Sequence, residues 1–427
     1  LREKVILNLL EDGAGHLWMG MADMQTTDFR LYRFNGERLD EPFKEMLEEE
    51  EKVTAWLSAE KRHETLWFGT NKGRVLRYRD GGTEVFSKEH GLPGRGITAL
   101  LVDESGTLWV GTDEKGVYRV VYPERSRRDG GRFTQAFGDK PPVYVSSIFE
   151  DSSGRLWFGG ENVLGRYDGA NYTFFTQAQG LPNGKLTVLE EDINGDIWCR
   201  IEGVGAVRYA PPSASPPSVG RKEEGGSVSP ADGGKPGGRF VTYTEADGLP
   251  GRNIYVTKDR RGVLWFTAGT DRIAWYDGAQ LRQLPGKSPI GRFFSSYADG
   301  EGNVWFGSGN FLGVAMFDPE TMRTFTISDG LPADNSSALL LDREGGLWIG
   351  TGGLNQPGGS GLARFDLSAN DASTRRMQTW TRTDGLLDNH ILCLYEDSQG
   401  TVWIGTGNGL NRVVYPEPFT SFEDKLS

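Results

Sequence analysis

Any chemistry in this sequence has to come from polar residues that recur at two kinds of place. One set stands just ahead of short apolar runs: Arg95, Asn183, Lys185, Arg252, Asn253, Arg292, Asp334, Asn335, Asn389 and His390. The other follows a recurrent tryptophan: Asp23, Asn71, Lys72, Asp113, Glu161, Asp271, Asn310, Asn355 and Asn408. Amide, carboxylate and guanidinium groups around one mouth can hydrogen-bond the hydroxyls of a saccharide, because a binding site orients its ligand with a few convergent polar groups. Arg95, Lys185, Arg252, Asn253, Arg292, Asp334, Asn335, Asn389 and His390 are therefore the candidate binding set for an oligosaccharide or another polar ligand. Acid–base and metal chemistry have less to draw on. His16, His63, His90 and His390 are scattered, no Gly-x-Ser-x-Gly elbow is present, and nothing has zinc-ligand spacing. No catalytic residue, metal or cofactor is expected.

Both polar sets are positioned by a repeat. The stretch Gly346-Leu347-Trp348-Ile349-Gly350-Thr351 has counterparts at Trp18, Trp67, Trp109, Trp157, Trp198, Trp265, Trp305 and Trp403, each preceded by Leu, Ile or Val. The nine tryptophans lie 49, 42, 48, 41, 67, 40, 43 and 55 residues apart. A period in the forties is that of one four-stranded propeller blade. Asp-x-x-Gly precedes most copies, as at Asp103 to Gly106 and Asp342 to Gly345; it spaces a tight hairpin in which Asp opens the turn and Gly takes the left-handed position. A third strand such as Gly361-Leu362-Ala363-Arg364-Phe365 follows, then a fourth such as Tyr172-Thr173-Phe174-Phe175.

The expected fold is all-β: one propeller domain over residues 1–427, closing nine four-stranded antiparallel blades into a ring. The expected blades are approximately 1–43, 52–88, 95–135, 143–177, 185–245, 252–284, 291–327, 335–381 and 389–423. Seven or eight blades, or an incomplete ring, is the alternative, since propellers usually have about four to eight. With strands running inner to outer, the loop after the tryptophan strand and the loop entering the next blade share one face, and both polar sets lie there. The tryptophans keep one register beside Leu and Gly, which favours packing between blades over sugar stacking. The turn aspartates are isolated from one another and read as turn caps rather than calcium ligands. The Arg of Gly-Leu-x-Arg reads as a structural partner of a neighbouring carboxylate or carbonyl.

Three segments depart from the unit. Pro211 to Gly238, rich in Pro, Gly and Ser, reads as a disordered surface loop between the third and fourth strands of the fifth unit. Glu41 to Lys52 reads as a solvated or short helical link, and Leu354 to Ser360 enlarges a loop. A formal charge of -12 argues against nucleic acid as a partner, because phosphate binding needs clustered cations. No apolar run reaches the roughly 18 residues of a membrane span. Cys199 and Cys393 fall in different repeats and read as buried core residues. The chain starts at Leu1 inside a repeat, without initiator Met or signal peptide, and reads as an excised or processed segment.

A second element precedes many first strands: His90-Gly91-Leu92-Pro93, Gln179-Gly180-Leu181-Pro182, Asp247-Gly248-Leu249-Pro250, Asp329-Gly330-Leu331-Pro332 and Asp384-Gly385-Leu386-Leu387. Joined to Asp-x-x-Gly, Leu-Trp-Ile-Gly-Thr and Gly-Leu-x-Arg, it resembles the two-component regulator propeller repeat over nearly all of the chain outside the inserts. The resemblance implies the extracytoplasmic, periplasmic sensor part of hybrid two-component systems, where propellers precede a β-sandwich, a membrane span and a histidine kinase, and where understood members mostly sense glycans. Such sensors usually carry two propellers, whereas nine repeats stand here. The expected function is a non-catalytic sensor propeller that passes ligand binding to a signalling module of the parent protein; a protein-interaction scaffold is the alternative. Leu264-Trp265-Phe266-Thr267 and Val304-Trp305-Phe306-Gly307 are also similar to repeats of streptogramin lyases, metal-dependent propellers, which leaves a lyase as the lesser alternative.

Overall fold

Nine times the chain lays down an antiparallel sheet from contiguous sequence, and in all but the fifth the four strands lie in chain order. The computed structural model describes residues 4–23, 29–59, 65–121, 131–137, 144–211, 227–228, 238–284, 293–299, 302–308, 313–317, 322–333, 335–352, 360–366 and 377–422. Blades 1 to 9 cover 4–40, 53–86, 97–135, 145–175, 186–243, 255–283, 293–325, 336–380 and 391–422. The chain is an all-β, nine-bladed propeller of four-stranded antiparallel blades. The first strand of blade 1 and the last strand of blade 9 pair within their own sheets, so no strand is exchanged between the chain's ends. Two compact units form: Leu1–Glu45, Gly269–Arg272 and Gly286–Ser427, holding blades 1, 7, 8 and 9, and Met46–Ala268 with Ile273–Pro285, holding blades 2 to 6.

Each blade is stitched at its first hairpin by one aspartate. Asp342 Oδ1 accepts the Glu344 and Gly346 amides at 3.1 and 2.7 Å, while Gly345 turns the chain at φ 84°. Its other oxygen, Oδ2, accepts the indole N–H of Trp348 at 2.8 Å. The same bond joins Asp12 to Trp18, Asp103 to Trp109, Asp151 to Trp157, Asp192 to Trp198, Asp259 to Trp265, Asp299 to Trp305 and Asp397 to Trp403, at 2.7–3.1 Å. A buried indole needs such an acceptor, and all nine tryptophans are at most 7% exposed. In blade 2 the corresponding residue is Lys61, outside the described residues.

The Arg of the third strand stands opposite the tryptophan in the ladder, as in Trp67 with Arg77, Trp109 with Arg119, Trp157 with Arg166, Trp348 with Arg364 and Trp403 with Arg412. Its guanidinium lies over the indole at 5.6–5.9 Å, a cation–π geometry. In blade 8 Arg364 Nε also donates to Asp342 Oδ2 at 2.8 Å, so its carboxylate partner is the blade's own turn.

Three devices hold neighbouring blades. The Gly two residues after the tryptophan lies under the first residue of the next blade: a Cβ on Gly69, Gly111 or Gly350 would stand 2.4, 2.7 or 2.5 Å from Ile97, Val145 or Ile391. A Thr or Ser at the bulge of the first strand then donates its hydroxyl to that residue's carbonyl: Thr54 to Ile97, Thr98 to Val145, Ser146 to Leu186 and Ser337 to Ile391. On the hairpin side, a Glu ending the first strand accepts the turn amide of the preceding blade. Glu150 takes Glu104, Glu191 takes Ser152, Glu396 takes Arg343, and Glu11 of blade 1 takes Ser398 of blade 9.

Two expectations change. Within the Pro211 to Gly238 insert, Ser227–Val228 pairs with Val241 and Thr242 as a fifth strand of blade 5, so that part is not disordered loop. The Glu41 to Lys52 link holds turns and no helix among its residues, and Glu51 is buried rather than solvated. Arg74 Nε donates to Glu51 Oε1 at 2.8 Å and the Thr70 hydroxyl does so at 2.6 Å, which neutralises part of the acidic run. Cys199 is 1% exposed and both cysteines are free thiols. The enlarged loop from Leu354 lies mostly outside the described residues.

Candidate functional site

The loops that carry the candidate residues are set by a short connector between blades. Five times a 3₁₀ turn with a capping box follows an outer strand: Ser87 with His90, Thr176 with Gln179, Thr244 with Asp247, Thr326 with Asp329 and Thr381 with Asp384. The Ser or Thr accepts a backbone N–H of the turn while the third residue's side chain accepts the cap's own N–H, so the orphan donors of a helix start are satisfied. Hydrogen bonds from the Thr381 amide and hydroxyl hold the Asp384 carboxyl below the usual carboxylate range. The glycine that follows is left-handed, and the next Leu is buried, at 4% exposure or less for Leu92, Leu181, Leu249, Leu331 and Leu386. That plug fixes where the next blade's entry loop begins.

Entry loops and post-tryptophan loops meet on one face, as the strand order requires. The Asp113 amide donates to the Gly96 carbonyl at 3.0 Å, Asn162 to Gly184 at 2.9 Å, Gly361 to Asn389 at 3.1 Å and Gly407 to His390 at 3.1 Å. Several amide side chains serve this framework: Asn71 Oδ1 accepts the Lys52 amide at 2.8 Å, and Asn162 Oδ1 accepts the Gly184 amide at 2.7 Å.

Most of the candidate residues that the structure describes already have partners close by. Arg95 is exposed and paired with Glu114 at 2.8 Å. Lys185 lies over the Tyr144 ring at 4.7 Å. Asn389 Oδ1 accepts the Arg382 amide at 2.8 Å. His390 Nδ1 lies 3.2 Å from Asp388 Oδ1, which also accepts the His390 amide. Asn335 is 2% exposed, with neither amide atom bonded to a described residue. Arg292 and Asp334 lie outside the described residues.

Blade 6 differs. Arg252 and Asn253 are exposed, Arg252 reaching Glu245 only at 3.6 Å, and Tyr255 two residues on is 62% exposed. Register shifts interrupt the first strand pairing of the other eight blades, but not of blade 6. Losing the bulge residue brings Tyr255 to the ladder position held by Ala55, Ala99, Ser147 and Ala338 elsewhere. The signal was countable: 16 residues separate Leu249 from Trp265, against 17 from Leu92 to Trp109 or Leu386 to Trp403. A guanidinium, an amide and a phenol ring within four consecutive residues offer hydrogen bonds and a stacking face to a polar ligand.

These features define a repeat propeller in which entry loops and post-tryptophan loops lie together at the same end of the blades. Four segments, residues 91–114, 139–162, 330–353 and 385–408, match the model of the two component regulator propeller family, so the chain carries repeats of that family. No curated protein sequence matches the chain. Among solved structures it is similar to the extracellular domain of a putative one component system from B. thetaiotaomicron, at 17% identity and TM-score 0.38 over 98% of this chain and 55% of that one. The extracellular domain of a putative hybrid two component system from B. thetaiotaomicron is also similar, at 17% identity and TM-score 0.34 over 99% and 71%. A third is PorZ, a surface component of the type-IX secretion system of Porphyromonas gingivalis, at 16% identity and TM-score 0.36 over 98% and 57%. The chain thus spans little more than half of the first of these. No helix among the described residues is long and apolar enough to cross a membrane.

Proposed function

We propose that this chain is the non-catalytic, extracytoplasmic sensor part of a two-component regulator, binding a polar ligand, foremost an oligosaccharide, on its loop face and passing the event to an attached signalling module. The observation that carries the reading is the recurrence of the family's repeat at four places, each spanning the loops of that face. Within that face the entry of blade 6 is the favoured contact, because Arg252, Asn253 and Tyr255 are exposed while Asn71, Asn162 and Asn389 are spent on loop backbone. The same self-pairing supports a second reading, a rigid scaffold for a protein partner, since Asn71, Asn162 and Asn389 brace the loops on which they stand.

The test is a thermal-shift screen of the purified chain against plant and microbial oligosaccharides. The sensor reading expects at least one glycan to raise the midpoint in a concentration-dependent way, as any ligand selective for the native state does. Arg252→Ala and Tyr255→Ala should each weaken that glycan by about tenfold while leaving the ligand-free midpoint unchanged. No shift with any glycan, from a chain that unfolds cooperatively, overturns the sugar and favours the scaffold.

A further inference from the structure

We infer that the entry of blade 6 is built for an acidic oligosaccharide, whose carboxylate is taken by the guanidinium of Arg200. This rests on the sensor reading above and adds to it a residue and a charge for the ligand. Two places after the repeat tryptophan every blade has glycine except blades 5 and 6, which have Arg200 and Thr267. That place faces the next blade: a Cβ on Gly111 would stand 2.7 Å from Val145, and one on Gly159 2.6 Å from the Leu186 carbonyl. In blade 5 a whole arginine side chain stands there instead. Two changes of pairing accompany it. The bulge of blade 5 moves to Leu189, so Thr187 pairs directly with Arg200, and blade 6 drops its bulge, which exposes Tyr255.

The arginine is not spent on the fold. Its Nη1 donates to the Ile254 carbonyl at 3.4 Å, the place that a bulge hydroxyl takes between other blades, as Thr54 does on Ile97. That one long bond leaves most of the five N–H donors of a planar fork unused. Arg208 and Arg364 each lie beside a carboxylate, at 3.2 and 2.8 Å, whereas Arg200 is half-buried and has no ion pair among the described residues. Even Glu202, exposed two residues further on, makes no pair with it. Ile254 stands between Asn253 and Tyr255, both exposed, so the fork reaches the stretch that carries an amide and a phenol ring. Arg252 adds a second guanidinium, held only by Glu245 at 3.6 Å with both side chains more than half exposed, a pairing worth little. A fork binds a carboxylate through two parallel N–H···O bonds, while amide and ring serve the hydroxyls and the apolar face of a pyranose. A uronic acid residue carries all three on one ring.

The full chain is titrated, by thermal shift and calorimetry, with uronic acid oligosaccharides of pectin, alginate and hyaluronan. Each is used as the free acid and as its methyl ester, which keeps the sugar and removes the charge. The free acid of one of them should bind about tenfold or more tighter than its ester, and the difference should shrink as salt rises from about 0.05 to about 0.5 M. Arg200→Gln, which keeps a donor for the Ile254 carbonyl, should weaken the acid about tenfold and leave the ester as it was; a merely structural arginine would weaken both alike. Acid and ester bound equally by the wild type, or neutral glycans bound and no uronic acid, overturns the acidic ligand and leaves the sensor reading standing. No glycan bound at all overturns both. The comparison of acid with ester in the wild type decides even where Arg200→Gln does not fold.

Discussion

Asp342 carries three jobs on one carboxylate: it closes a hairpin, accepts the Trp348 indole and neutralises Arg364, whose side chain is 5% exposed. Asp342→Ala should therefore cost about 3–5 kcal/mol, since it leaves a buried cation with only the exposed Glu344 carboxylate at 3.8 Å. Asp397→Ala, which removes turn and indole bonds, should cost about 1–3 kcal/mol. Urea unfolding of the two variants checks the order, and equal losses would mean that the Arg364 pair adds nothing. Glu51 gives a pH prediction. Burial alone would raise its carboxyl, but bonds from Arg74, Thr70 and the Glu48 amide outweigh it and leave the group below the usual carboxylate range. A carboxyl lowered on folding adds stability that is complete above its unfolded value of about 4.3 and is lost as pH falls through the folded value. The stability gap between wild type and Glu51→Gln should thus be constant near neutral pH and close on acidification; a gap that widens would reverse the sign. The turn role of these aspartates was legible because Asp-x-x-Gly is a local pattern. The indole bond was not, because it joins residues six apart that meet only once the hairpin register is set. Asn71 and Asn389 looked like ligand groups for a related reason: a polar loop residue shows its chemistry in sequence, but not the backbone amide that already occupies it.

At the scale of the element, the capped connector is what turns a run of sheets into a face with ordered loops. Thr244 Oγ1 accepts the Ala246 amide at 3.2 Å, and Asp247 Oδ2 accepts the Thr244 amide at 2.8 Å. Thr244→Ala should destabilise by about 0.5–2 kcal/mol, the cost of a lost N-cap, and Thr244→Ser should recover most of it. If Ala and Ser behave alike under chemical denaturation, the hydroxyl is not what orders the connector. The pattern Thr-x-x-Asp-Gly-Leu-Pro was open to reading, since Ser or Thr three residues ahead of an acceptor is a recognised start signal. The strands themselves were legible for the same local reason, through alternation and turn residues. Blade 6 shows the limit. Its missing bulge is a one-residue change in spacing, and its effect, an exposed Tyr255 where blades 2, 3, 4, 7 and 8 hold Ala or Ser, depends on pairing across the ladder. The candidate site is sharpened there by register, which single residue types do not reveal.

For the whole molecule, the blade number was countable from the tryptophans, while the grip between blades was not, because its members are a Glu at one strand's end and a turn amide in the neighbouring repeat. Those grips differ greatly in sequence separation. Glu191 reaches Ser152 across 39 residues, but Glu11 reaches Ser398 across 387. Loop closure grows costlier with the length enclosed, so the contact of blade 9 with blade 1 should form after the blades that fold from local sequence. Interactions absent from the folding transition state act on unfolding alone. Glu11→Ala should accordingly leave the refolding rate near wild type and raise the unfolding rate about fivefold or more, whereas Glu191→Ala should slow refolding as well. Tryptophan fluorescence after urea jumps in both directions gives the two rates for each variant. Refolding slowed as much by Glu11→Ala as by Glu191→Ala would place the joining of the terminal blades early, with the chain's ends meeting before its middle is built.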